Sequence, residues 1–394
     1  VYHRALSPAE RLWLVADDLM APFTIGFVVE GEGRLDPARW QAAAAAAAEA
    51  VPGARLVLRR FACRARWEDS GVAPGIGLCD PSDWDGRAPG GSALTGRRLP
   101  ARGGPTLEVL LGEGAPCRVV VRVHHAVMDG VGLRTFVIEL FRALRGEAPR
   151  PVVHADSDLQ LARQLGIDPW PLPEERHAAV TGAHDGAPDA AVWGRRTLVG
   201  RWRRFLPKVA AIVAAHGHAA SDGDLALQFP VDLRRHLGSA TGTGNLTGIV
   251  VLPVARGVTA EAIDADLQQA LEARAELGWV ASIGGLLHVP HALMVWAGAR
   301  GSARTNAAGD RYGASAILSN MGSLPSDAFE APDFAPTTAY VVPPGGRATA
   351  ALFVFTRWAD HTEMVVAMPV GLASGGRMDA LLDDIVAGMD AQRV

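Results

Sequence analysis

Residues 118–130, Arg118-Val-Val-Val-Arg-Val-His124-His125-Ala126-Val127-Met128-Asp129-Gly130, decide how this chain is read. The first eight are rich in β-branched residues and predict a strand, which Asp129-Gly130 breaks. Successive strand residues point to opposite faces. His124 and His125 therefore cannot both hold one metal without distorting the strand. Val121 and Val123 share a face with His125, and Arg122 shares one with His124. A histidine at a strand end facing an apolar cavity is well placed as a general base, because its pKa lies near neutrality. Asp129 can turn back to fix the loop, and a buried carboxylate there needs a partner, an arginine being the natural one. Gly130 is read as supplying a backbone conformation closed to other residues.

Outward from this segment, helices and strands alternate irregularly. Ser7 and Glu10 form a capping box with Pro8 between them, predicting a helix. A strand is expected over 23–30, a helix from Asp36-Pro37 through the alanine run at 42–48, packed closely on a sheet, and a strand over 55–61. Residues 131–144 carry apolar side chains at helical spacing. From Gly146 to about Gly194 the periodicity dissolves into Pro, Asp, His and Gly, which reads as loops and a crossing between lobes. Beyond it, helices are expected over 199–216, from Ser221, over 261–277 and over 378–389. Strands are expected over 248–254, 314–318, 338–342, 350–355 and 363–368. The fold class is α/β, as two sandwich-like lobes: 1–150 carrying the two histidines, 151–195 linking, and 196–394.

At 394 residues, 49% hydrophobic and 20% charged, the chain can bury a sizeable core. The formal charge of -4 argues against a broad nucleic-acid face. Lys208 is the single lysine, so the basic charge is nearly all arginine. Three scattered cysteines, Cys63, Cys79 and Cys117, make neither a disulfide framework nor a zinc knuckle, and a cytoplasmic location is expected. The N-terminal VYHRALSPAERLW shows no apolar signal core. The uncharged run from Gly278 toward Ala299 contains Pro290 and reads as core or cleft wall, not a membrane span. Within it His288 and His291 are read as core histidines, and Trp279 and Trp296 as core in preference to an acyl pocket. Asp17 and Asp18 are read as solvated helix residues.

HHAVMDG resembles the HHxxxDG motif of the condensation-domain superfamily. That superfamily includes chloramphenicol acetyltransferase, nonribosomal-peptide condensation domains, wax-ester synthase/diacylglycerol acyltransferases and polyketide-associated acyltransferases. Three further segments resemble it in order: LSPAERLWLVADDLMAPFTIGFVVEGEGRLDPARW, Pro230-Val231-Asp232-Leu233-Arg234 followed by Gly244-Asn245, and Ser319-Asn320-Met321-Gly322. The resemblance implies two chloramphenicol-acetyltransferase-like lobes in a V around a central tunnel. It implies His125 as the base acting on an acceptor hydroxyl or amine that attacks a thioester carbonyl, with His124 supporting. Asp129 would pair with Arg234 as a structural salt bridge. Ser319, Asn320 and Asn245 are candidates for an oxyanion donor or the tunnel wall.

The donor would be acyl-coenzyme A or an acyl-phosphopantetheine on a carrier protein, with no metal and no permanently bound cofactor. The missing P-L-W run and SNMGSLP, in place of S-N-V-P-G-P, favour a small-molecule acceptor and specialised metabolism over neutral lipid. Alternatives are a base-promoted cyclisation or elimination on the same scaffold, or a non-catalytic docking module.

Overall fold

The computed structural model describes residues 2–393 apart from 21, 60–64, 82–83, 85, 88–96, 172–175, 188–189, 239–240, 308–310 and 347–348. Its N-terminal half runs β1 (His3–Ala5), α1 (Pro8–Met20), β2 (Thr24–Gly33), α2 (Pro37–Ala50), β3 (Leu56–Arg59), β4 (Arg66–Asp69), β5 (Ile76–Cys79), β6 (Leu107–Gly112), β7 (Cys117–His124) and α3 (Gly130–Leu144). The capping box at Ser7 is formed in both directions, Ser7 N to Glu10 at 2.9 Å and Glu10 N to Ser7 Oγ at 3.1 Å. Asp36 caps α2 as its sequence predicts. α2 packs chiefly against α3 and more lightly on the sheet strand β5.

Every residue of β7 is buried, because the strand is covered on both faces. Val119, Val121 and Val123 join the core beneath α3, whereas Val120 packs on the other side with Val28, Trp84, Tyr340 and Val365. Phe136, Val137, Leu140 and Phe141 of α3 are fully buried, each contributing about 1.5–3 kcal/mol. The arginines between the valines are neutralised across the strands, Arg118 by Glu30 at 3.0 Å and Arg122 by Glu108 at 2.6 Å.

The rest of the chain runs α4 (Asp158–Gln164), β8 (Ala191–Val199), α5 (Phe205–Ala220), β9 (Leu225–Asp232), β10 (Thr247–Val254), α6 (Ala260–Glu272), α7 (Ala275–Ser282), α8 (His291–Ala307), β11 (Ala316–Leu324), β12 (Phe334–Val342), β13 (Leu352–Trp358), β14 (His361–Pro369) and α9 (Arg377–Asp390). The described strands form a five-stranded sheet in the order β12-β2-β7-β6-β5, a six-stranded sheet in the order β10-β9-β11-β13-β14-β8, and a small β1-β4-β3 sheet. The fold is thus mixed α/β in two lobes. β12 leaves the second half of the chain to pair antiparallel with β2, so the lobes share a strand exchange.

Four local readings are corrected. Residue 199 ends strand β8, paired along its whole length with β14, and the helix begins at Phe205 after Arg204 in the left-handed region. Ser221 closes α5 instead of opening a helix, and the following LALQFPVD is strand β9 against β10. The helix over 261–277 is two helices, divided at Arg274 with φ 56°. The crossing region contains α4, opened by a Ser157/Gln160 capping box. Residues 60–61 of the expected strand and Cys63 lie outside the described residues. Among the described residues no helix is long and apolar enough to cross a membrane.

Candidate active site

β7 ends at His124, and the turn that follows places His125 in a cavity of about 170 Å³ between the lobes. Its backbone N–H donates to Phe23 O at 3.0 Å. Its ring lies nearly parallel to Trp13 and Phe23, with centroids 5.3 and 5.5 Å away and planes inclined by 17° and 14°. Nδ1 lies 3.1 Å from Met128 O. A carbonyl can only accept, so Nδ1 carries the proton and the neutral ring presents the Nε2 lone pair. Burial lowers the His125 pKa below the ordinary value, and the Met128 hydrogen bond offsets this only in part. The ring is held in one tautomer and is unprotonated at neutral pH.

His124 points the other way and is fully buried. Its Nδ1 accepts from Ala126 N at 3.1 Å, which leaves the proton on Nε2, 3.4 Å from Asp17 Oδ2. Asp17 is buried rather than solvated, a correction to the reading of α1. Its Oδ1 accepts from Phe23 N at 3.0 Å, and Arg98 Nε donates to Oδ2 at 2.8 Å. Burial alone would raise the Asp17 pKa, but the His124 ring, the Phe23 N–H and Arg98 outweigh it and hold it at about 2. One carboxylate thus fixes both His124 and the strand start that carries Phe23. Asp18 pairs with Arg98 at 2.9 Å and His291 at 2.7 Å.

Asp129 caps α3 through Gly132 N at 2.7 Å. Its two oxygens meet Arg234 Nη1 and Nη2, both at 3.0 Å, and accept also from Leu246 N at 2.9 Å and Thr247 Oγ1 at 3.1 Å. Burial would raise its pKa; the Arg234 guanidinium and these hydrogen bonds reverse that and lower it. A carboxylate so engaged is a fastening between lobes, with no free lone pair aimed at the cavity for proton transfer. Gly130 does not adopt a positive φ. Its small size is what matters, since a Cβ there would lie 2.8 Å from Met321 Sδ.

The three donor candidates separate. Ser319 lines the cavity. Asn320, one residue on and therefore on the other strand face, is exposed and accepts from Gly322 N at 3.0 Å. Asn245 lines the cavity, but its Nδ2 already donates to His125 O at 2.9 Å. Trp279 is a cavity wall residue, whereas Trp296 is 55% exposed and His288 is exposed, so neither of these two is core. His291 is half-exposed.

Trp13, Phe23 and Arg4 carry no motif that marks them in the sequence as part of this site. Arg4 pairs with Glu10 and donates to Val127 O at 2.6 Å, bracing the motif loop from beneath. The Ser7–Glu10 capping box was visible, but a second duty for its carboxylate, accepting from Trp67 Nε1 at 2.9 Å, has no local sequence signature.

No known family's sequence profile matches the chain, and no curated protein sequence matches it. Solved structures do. A condensation domain from the monacolin K polyketide synthase MokA superposes with a TM-score of 0.64 at 12% identity, covering 100% of this chain and 99% of that one. Polyketide synthase associated protein 5 from Mycobacterium tuberculosis gives 0.63 at 16%, covering 98% and 97%. A mutant starter condensation domain of rhizomide synthetase RzmA, in complex with C8-CoA and Leu-SNAC, gives 0.63 at 16%, covering 99% and 95%. Over essentially its whole length, the chain has the two-lobed α/β fold of the condensation domains.

Proposed function

We propose that this protein transfers an acyl group from a thioester to a hydroxyl or amine of a small-molecule acceptor, with His125 as general base. The observation that carries the reading is the His125 ring, pinned at Nδ1 by a carbonyl and offering Nε2 to an apolar inter-lobe cavity. In this scheme Nε2 takes the acceptor proton as the oxygen or nitrogen attacks the thioester carbonyl. The tetrahedral intermediate collapses with loss of the thiolate, which takes the proton back from the imidazolium. Ser319 Oγ is the side chain among the three candidates free to donate to the oxyanion. Asp129 and Arg234 hold the loop and take no part in proton transfer.

The thioester itself supplies the activated acyl group, so the scheme calls for no resident cofactor. The RzmA domain of this fold was solved with C8-CoA and Leu-SNAC, which supports a coenzyme A or phosphopantetheine thioester as donor here. We assign the reaction to specialised metabolism, with a carrier protein as the alternative presenter of the donor.

Free thiol release from acyl-coenzyme A donors, and from an acylated carrier protein, tests this. Release should require the acceptor and fall by about 10²–10⁴ in His125→Ala, with the variant's circular dichroism unchanged. Release that proceeds equally without acceptor, or equally in the variant, would sink the proposal.

A further inference from the structure

Two cavities share a wall. One is the 170 Å³ space at His125; the other, of about 500 Å³, runs along β10 toward α6 and α7 beside Trp170. Ile249 of β10 and Trp279 of α7 line both. Since β10 is an edge strand, the larger cavity lies past the end of the sheet. Apart from Asp266 and Gln269 on α6, the side chains lining it are apolar.

Two glycines bring Trp279 to this position. A Cβ on Gly248 would lie 2.8 Å from Glu276 Cβ, so the glycine lets α7 press directly on β10. A Cβ on Gly278 would lie 2.5 Å from Cγ of the Trp170 ring, so the indole of Trp170 packs flush on α7 beside Trp279. The partition is therefore built by close backbone approach.

An apolar cavity of roughly 150 Å³ holds a benzene-sized guest, so the space at His125 receives roughly six carbon atoms. Sites that enclose a whole ligand usually measure roughly 300–1,000 Å³. We infer that Trp279, with Ile249, is a partition that limits the length of the linear aliphatic chain admitted beside His125. The outer cavity is the space a longer chain fills once the indole is removed. The chain is carried by either the acyl group or the acceptor, and the inference rests on the acyl-transfer reading above for which of these it is.

The test is a chain-length profile of kcat/KM in wild type, Trp279→Ala and Ile249→Ala, with Trp296→Ala, which lines neither cavity, as control. One arm uses straight-chain acyl-coenzyme A donors from acetyl to palmitoyl with a fixed acceptor. The other uses alcohols from ethanol to hexadecanol with a fixed short donor. Wild type should favour chains of roughly six carbons or fewer. The long-to-short ratio should rise on the order of tenfold in Trp279→Ala and less in Ile249→Ala, since each buried methylene contributes up to about fourfold. The arm whose profile moves identifies the carrier of the chain. A ratio unchanged in both variants, with their circular dichroism intact, overturns the inference. Thermal shifts with decanoate and decanol read the same partition without turnover. Should no thioester be consumed by any variant, the acyl-transfer reading fails and these shifts alone decide. A larger rise in Tm for Trp279→Ala than for wild type supports the partition, and an equal rise overturns it.

Discussion

At the scale of single residues, the site depends on two adjacent histidines held in opposite tautomers. Ala126 N–H donates to His124 Nδ1, whereas His125 Nδ1 donates to Met128 O. Asp17 is what secures the first of these rings, and its ionisation makes it a pH-dependent element of stability. Its carboxyl is held at about 2 in the folded chain against an ordinary 3.8. A depressed carboxylate pKa contributes stability that is present above about pH 4 and lost as pH falls through about 2, amounting to about 2 kcal/mol. Asp17→Asn should therefore lower Tm at pH 7, and its deficit relative to wild type should shrink as pH drops from about 5 toward 2. Tm measured across that range checks this; a deficit that stays constant would mean that Asp17 is not ionised in the way its contacts imply.

At the scale of elements, α3 begins where three parts of the chain converge. Gly130 faces Met321, and Gly132 faces Thr243, whose carbonyl a Cβ would strike. The obstacle at Gly130 is a flexible thioether, while that at Gly132 is backbone. Gly132→Ala should cost about 1–3 kcal/mol by overpacking, and Gly130→Ala should cost less. Urea unfolding of the two variants gives the comparison, and a larger loss at Gly130 would contradict it.

The same elements show what a sequence can reveal. β7, α3 and the caps at Ser7 and Asp36 announce themselves because their chemistry is local: alternation, helical spacing, an oxygen beside a free N–H. The residues of β9 read as a helix because the Ser221 oxygen imitates a helix start, and only pairing with β10 decides otherwise. α4 is hard to read from sequence although Ser157 and Gln160 carry a capping pattern, because seven residues give little periodicity. Asp17 reads as a solvated residue of an amphipathic helix, since its partners Arg98 and His124 lie more than eighty residues away in sequence. His125, Asp129 and Arg234 were legible through their motifs, whereas the Trp13–Phe23–His125 stack was not.

For the whole molecule, the lobes are fastened by charge as well as by the exchanged strand β12. Arg195 of β8 reaches Glu30 of β2 at 3.3 Å and Glu363 of β14 at 2.9 Å, over the ring of Tyr340. Asp129 and Arg234 form the corresponding fastening at the cavity. Asp129→Ala leaves Arg234 with Asp232 at 2.9 Å and the carbonyls of Gly242 and Gly244, but opens Leu246 N and Gly132 N. Loss of one partner of a buried pair costs about 3–5 kcal/mol, and the surviving contacts place this case toward the lower end. Tm and activity should fall together in Asp129→Ala. A variant that melts with wild type would remove the fastening role.

The proposed reaction requires His125 to act as an unprotonated base in the cavity between the two lobes. Because burial lowers its pKa, the active form persists below the ordinary histidine value, and activity should fall only as pH drops through the depressed one. The most direct measurement is kcat/KM for acceptor-dependent thiol release as a function of pH, in wild type and His125→Ala. We predict an acid limb with a midpoint below about 6.5 in wild type and none in the residual rate of the variant. A limb that persists in His125→Ala would show that another group is the base and contradict the central claim.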